Sequence, residues 1–227
     1  MWSYYGTKKA IAEYYPKPMC NIIIEPFCGA AQYSLFGDNW QKKVLLIDRY
    51  DVIIDLWNYL IQAKESDILS LPEMNYGDKI DNHTQLCKEE KYLIGFSINS
   101  GSAQPKKTVK KFNSWPRTKL YIASNLYKIR HWEAKIGAFY SAPDIDATWY
   151  IDPPYQFGGE YYRYSNKNID YGYLSSWCQK RKGQVIVCEN TKAEWLPFSP
   201  LVKMNGQLHE TMEAIWYKQT FDLTQSI

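Results

Sequence analysis

Apolar positions along this chain fall into two rhythms. Residues 21–27 contain the continuous run Ile22-Ile23-Ile24, the mark of a strand covered on both faces. Gly29-Ala30-Ala31 then reads as a tight turn of small residues, followed by a short helix to about Gly37. A second strand is predicted over residues 43–48. After it, Val52, Ile53, Leu56, Trp57, Leu60 and Ile61 recur at helical spacing. Strand, turn, helix, strand, helix predicts parallel pairing in a doubly wound α/β sheet. Strands resume at 148–152, 184–188 and 214–217. Between about 65 and 142 no strand rhythm is visible, which predicts a small helical insertion. The expected organisation is one α/β domain over 1–64 and 143–227, interrupted by an insertion at 65–142.

Composition narrows this picture modestly. The chain has 227 residues, enough to bury a full core. It lacks an apolar run near the roughly 18–20 residues a membrane span needs. Met1-Trp2-Ser3-Tyr4-Tyr5 does not resemble a signal peptide, so a cytoplasmic protein without membrane contact is expected. Five cysteines without a CxxC pair point to reduced thiols. His83, His131 and His209 lie far apart in sequence, and no metal site is expected.

Charge changes the picture more. The formal net charge is only +3, yet between Lys88 and Lys135 eleven Lys or Arg face three acids. A solvated face is the ordinary source of such a run. Here it also carries Phe112, Trp115, Tyr121 and Tyr127 among Asn99, Ser100, Asn113 and Ser114. Cations interleaved with rings and amides fit a nucleic-acid surface. Lys106, Lys107, Lys110, Lys111, Arg117 and Lys119 are the candidate phosphate contacts. Arg163, Lys167, Lys180, Arg181 and Lys182 form a second basic patch, of which the last three fit a helix C-terminus before Gly183.

The chemistry concentrates at the strand ends. The strand at 148–152 runs into Asp152-Pro153-Pro154-Tyr155. Two prolines have no N–H and fix φ, so ladder pairing stops there. What remains is a stiff turn presenting a carboxylate (Asp152), a free carbonyl (Pro153) and a flat ring (Tyr155). Those groups suit a planar base with an exocyclic amine; a rigid turn with a solvated Asp is the simpler reading of the tetrad alone. The first strand ends at Glu25-Pro26-Phe27-Cys28-Gly29, where small residues let a ligand approach the backbone. Asp48 ends the second strand, placed to hold a ribose diol or to serve the helix that begins near Asp51. Gly158-Gly159 with Tyr161, Tyr162 and Tyr164 reads either as a loop that closes over a base or as a surface hairpin. Glu189-Asn190, ending the next strand, reads as pocket lining or as a turn.

Together, Tyr4-Tyr5-Gly6-Thr7-Lys8, the Pro-Phe-Cys-Gly turn, Leu46-Ile47-Asp48 and the Asp-Pro-Pro-Tyr tetrad resemble Dam-type DNA adenine methyltransferases of the α-group. The resemblance covers about residues 1–64 and 145–220; in the middle only the segments at 96–101 and 112–113 are similar. Ala31 stands where members often have a second glycine. The resemblance implies a Rossmann-like S-adenosylmethionine-dependent fold with a target-recognition insertion. It implies cofactor contacts from Tyr4, Lys8, Phe27, Gly29, Asp48 and Asp152, with Lys8 at the methionine carboxylate and Asp48 at the ribose. It also implies catalysis by Asp152, Pro153 and Tyr155 on an adenine flipped out of double-stranded DNA, Tyr155 stacking on the base. Tetrads of this kind also occur in RNA adenine or guanine amino-methyltransferases. A nucleic-acid-binding module that kept the fold without its chemistry is the reading from another class. A thiolate mechanism on cytosine carbon is not supported, because no cysteine follows a proline.

Overall fold

The computed structural model describes residues 1–98, 101–111, 113–205 and 210–220. Asn99, Ser100, Phe112 and His209, named above, lie outside the described residues. The architecture is a seven-stranded, mostly parallel sheet flanked by helices. Its strands are β1 (Ile22–Glu25), β2 (Lys43–Asp48), β3 (Glu133–Ile136), β4 (Ala147–Ile151), β5 (Gly183–Asn190), β6 (Ser199–Asn205) and β7 (Glu210–Thr220). Their order across the sheet is β3-β2-β1-β4-β5-β7-β6. From β3 to β5 all pairings are parallel, and β7 runs antiparallel to both β5 and β6. This follows the doubly wound 3-2-1-4-5 order, then departs from it by seating β7 between β5 and β6.

Strand periodicity explains the two covered faces. In β1, Ile23 faces one core and Ile24 the other; in β4, Tyr150 and Trp149 divide likewise. The first core is closed by α2 (Asp51–Gln62), α4 (Lys88–Ser97) and α5 (Trp115–Ala123), the second by α6 (Tyr171–Lys180). The apolar face of α2 buries Ile53, Leu56, Trp57 and Leu60 completely. Each such aliphatic side chain contributes about 1.5–3 kcal/mol of transfer free energy.

Two strands depart from the sequence expectation. The stretch from 65 to 142 includes β3, which pairs with β2 through Leu45↔Glu133 to Asp48↔Ile136. Its sequence, Glu-Ala-Lys-Ile, is mostly exposed, so an edge position hides it from a reading based on apolar runs. β6 is likewise absent from the expected set; it opens with Ser-Pro, and a proline suits an edge strand. Among the described residues no helix is long and apolar enough to cross a membrane. All five cysteines are free.

Candidate functional site

Chain winding reverses between β1 and β4, and the crevice at such a reversal is where open α/β sheets bind ligands. A cavity of about 310 Å³ lies there. Its lining brings together the segment Tyr4–Lys8, the turn after β1, the end of β2 and the start of the tetrad, with Phe27, Gly29, Asp48 and Asp152 among the residues. Every cofactor residue expected from the sequence therefore faces one space. Pro153 and Tyr155 do not line it, whereas Pro154 does.

The turn after β1 is built by backbone geometry. Gly29 has φ +44°, a conformation that favours glycine, and a Cβ there would crowd the Tyr4 ring at 3.1 Å. Its N–H donates to Asp48 Oδ2 (3.1 Å) and its carbonyl accepts from the Trp57 indole (2.8 Å). Ala31 takes φ +46° without being glycine, a conformation costing about 1–2 kcal/mol for an L-residue. It is the residue just before the single-turn helix α1 (Gln32–Leu35).

Asp48 is no helix cap: α2 starts after Tyr50, which makes no side-chain cap. Its carboxylate instead ties the β2–α2 loop to the Gly29 turn, accepting the Tyr50 N–H at 2.9 Å as well. Burial pushes the carboxyl up to about 6, opposed by the amides of Tyr50, Gly29 and Arg49. A carboxylate has about four acceptor sites, so these bonds do not exhaust it. Glu25, at the end of β1, is also buried against the cavity. Ser34 donates to it through N–H (3.0 Å) and hydroxyl (2.5 Å), yet burial pushes it up to about 8.

Asp152 sits just past β4, with one oxygen 3.4 Å from the Lys8 ammonium. Burial pushes its carboxyl up to about 7, against the pull of Lys8 and with added repulsion from Glu213 and Glu189. Lys8 is more constrained than the sequence suggested. Its ammonium also meets Glu213 (3.3 Å), hydrogen-bonds the Tyr155 hydroxyl and lies 4.3 Å over that ring. Burial disfavours the ammonium, but Asp152 and Glu213 outweigh this and hold Lys8 above the ordinary lysine range. The hydroxyl end of Tyr155 is thus occupied: it accepts from Lys8 and donates to Glu213. Tyr171 donates to the Pro154 carbonyl at 2.6 Å, whereas among the described residues no hydrogen bond reaches the Pro153 carbonyl.

The loop at 156–168 forms a wall of the cavity through Tyr162, Arg163 and Tyr164. Tyr162 donates to the Tyr5 carbonyl (3.3 Å), and a Cβ on Gly6 would strike its hydroxyl at 2.0 Å. On the far side the Arg49 guanidinium lies 4.8 Å over Tyr164. Glu189 holds the loop's origin, accepting the Gln156 N–H (2.6 Å) and the Trp195 indole (3.3 Å). Asn190 donates to the Phe157 carbonyl at 2.8 Å. Glu189-Asn190 is therefore a brace for the turn.

The basic run divides. Lys106, Lys110, Lys111 and Arg117 are exposed and make no ion pair among the described residues; Lys107 is exposed beside Asp81 (3.3 Å). Lys119 departs from the expectation. It is 6% exposed, and its ammonium is committed to Glu73 and the Leu71 carbonyl (3.1 Å), so it ties the segment after α3 (Glu65–Leu69) to α5 and is not open to phosphate. Within the run, Ser102 touches the cavity-lining segment, its carbonyl accepting the Tyr5 N–H (3.2 Å). In the second patch, Arg181 is buried, with its Nε on the Trp177 carbonyl (3.2 Å) and its guanidinium on Asp144 (2.9 Å). This is the helix-end role its position suggested. Among the described residues no group of three His, Cys, Asp or Glu side chains is arranged to hold a metal.

Sequence reasoning missed Glu213 and gave Glu25 no role. Glu213 abuts the apolar run 214–217, and an acid next to a buried strand was the available signal. No protein-family model matches this chain, and neither does any curated protein.

Proposed function

We propose that this chain is an S-adenosylmethionine-dependent methyltransferase acting on the exocyclic N6 amine of adenine in DNA. One observation carries the reading. The reversal in strand order gathers the Gly29 turn, Asp48 and Asp152, from the ends of β1, β2 and β4, around one cavity. The donor set fits the cofactor. Asp48 stands at the cavity for a ribose hydroxyl, Phe27 and Tyr140 offer flat apolar surface for a purine, and Asp152 and Lys8 suit the ammonium and the carboxylate of the amino-acid end. A volume of about 310 Å³ lies in the range of small-molecule sites. When bound, S-adenosylmethionine supplies a methyl group on a cationic sulfur.

The remaining chemistry belongs to this chain. An adenine amine is a poor nucleophile because its lone pair is delocalised into the ring. In this reading Asp152 at the cavity and the Pro153 carbonyl, which would have to turn toward it, accept its two N–H bonds, which favours a pyramidal nitrogen with an exposed lone pair. A carboxyl near 7 is also matched to receive the proton that the amine sheds. A base reaches Asp152 only after leaving the duplex, at a cost of a few kcal/mol. In this reading the flipped base stacks on the ring of Tyr155, next to the cavity-lining Pro154. The exposed Lys106, Lys107, Lys110 and Lys111 supply sequence-independent attraction for phosphates.

The test is transfer of a labelled methyl group to DNA and to RNA, with the product identified by mass spectrometry. N6-methyladenine in DNA is expected. Preference for RNA would move the reading to an RNA amino-methyltransferase. Binding of nucleic acid without any transfer would leave a binding module.

A further inference from the structure

Behind Asp152, away from the cavity, lies a buried cluster contributed by four segments. Glu213 of β7 is 1% exposed and does not line the cavity. Its Oε1 accepts from the Tyr15 hydroxyl (2.7 Å) and the Tyr155 hydroxyl, and it lies 3.3 Å from the Lys8 ammonium. Lys8 in turn reaches Asp152 and donates to the Tyr155 hydroxyl oxygen. The polar partners that fix Lys8 and the Tyr155 hydroxyl thus converge on this one carboxylate.

We propose that Glu213 is a positioning residue of this site, anchoring Lys8 against Asp152 and fixing the plane of the Tyr155 ring without touching the substrate. The proposal rests on the methyltransferase reading for its kinetic consequence, but its structural consequence is independent. Asp152 shares the single Lys8 ammonium with Glu213, whose proximity pushes the Asp152 carboxyl up. The other groups facing Asp152 are Glu25 of β1 and Glu189 and Cys188 of β5. Around them stand the neutral phenols of Tyr15, Tyr150, Tyr155 and Tyr162. Lys8 is the cation among them, so removing the Glu213 charge leaves it to Asp152 alone. Asp152 then ionises at lower pH.

The experiment uses the full chain with ¹³C-carboxyl-labelled aspartate, the Asp152 signal being assigned by its loss in Asp152→Asn. In Glu213→Gln, which keeps the side chain's size, the Asp152 titration is expected to move to lower pH. The acid limb of kcat for methyl transfer should move with it, kcat should fall at least tenfold, and binding of S-adenosylhomocysteine should change less than threefold. Glu213→Asp keeps the charge but is one methylene short of spanning Lys8 and Tyr155. It should hold the titration near its wild-type position while kcat still falls. An unmoved Asp152 titration in Glu213→Gln, or identical behaviour of the two variants, would overturn the proposal. If Glu213→Gln does not fold, wild-type kcat in Glu213→Asp overturns it. Absence of methyl transfer by the wild-type chain would refute the functional reading alone, since the titration still judges Glu213.

Discussion

Charge is handled in opposite ways at the strand edge and along the basic segment at 106–117. Lys8, Asp152 and Glu213 are largely withdrawn from water, and each finds its partners within a few ångströms. Lys106, Lys110 and Lys111 project into solvent without ion pairs among the described residues. A desolvated charge is costly unless paired, so its position is fixed by its neighbours and a single change is felt sharply. A solvated charge is cheap and screened, and acts only as one member of a sum. The first arrangement suits chemistry on one atom and the second suits a polyanion.

The hardest break of this contrast is Asp152→Ala. It removes an acceptor used in the transition state, and kcat should fall by about 10²–10³, the cost of losing one preorganised electrostatic partner. Circular dichroism should show the fold intact; near wild-type turnover in a folded variant would remove Asp152 from the chemistry. Replacing Lys106, Lys107, Lys110 and Lys111 together with Ala tests the other region. The slope of log affinity against log salt for duplex DNA should flatten by about 0.9 for each phosphate that is no longer neutralised. Weakening should be similar across sequences and cofactor binding unchanged. An unaltered slope would identify the segment as a plain solvated face.

Asp48→Ala should weaken S-adenosylmethionine binding by about 1.5–3 kcal/mol, the scale of hydrogen bonds to a charged group. Calorimetry that finds the affinity unchanged would leave Asp48 only its role as a tie between Gly29 and Tyr50. Glu25→Gln sharpens the strand-edge side through pH. Glu25 is raised to about 8 in the folded chain from an ordinary value of 4.5, so the folded state binds the extra proton in that window. Wild-type stability attributable to this group is therefore present below pH 4.5 and lost as pH rises toward 8. The melting temperature of the variant relative to wild type should climb across that window, and a pH-independent difference would mean Glu25 is not held protonated. The smallest effect is expected for Ala31→Gly. Relief of the left-handed conformation should outweigh the added chain entropy, for a gain of about 0.5–1 kcal/mol in denaturant unfolding.

Much of the strand edge is legible in the sequence alone. The strands at 43–48 and 148–152 stand within a residue of their expected bounds, because continuous apolar runs demand burial wherever they go. Tyr4, Lys8, Phe27, Gly29, Asp48 and Asp152 do share one cavity, since the end of each parallel strand must open on the same edge. Illegible are the elements whose residues are not apolar. β3 is an exposed edge strand held by its ladder to β2, and Lys119 is a cation that resembles its neighbours in sequence but is buried.

By itself the sequence determined which segments must be buried, which turns demand small residues and which strand ends bear acids. These follow from local chemistry: apolar periodicity, proline's missing donor, glycine's freedom at positive φ. Only the tertiary structure decided who pairs with whom. Lys8 and Glu213 are 205 residues apart, and they meet because β7 enters the sheet antiparallel beside β5, facing Asn190 with Glu213. No local pattern records such a meeting. Its strength depends on the exclusion of water by both partners at once, a property of the packed molecule and not of either segment.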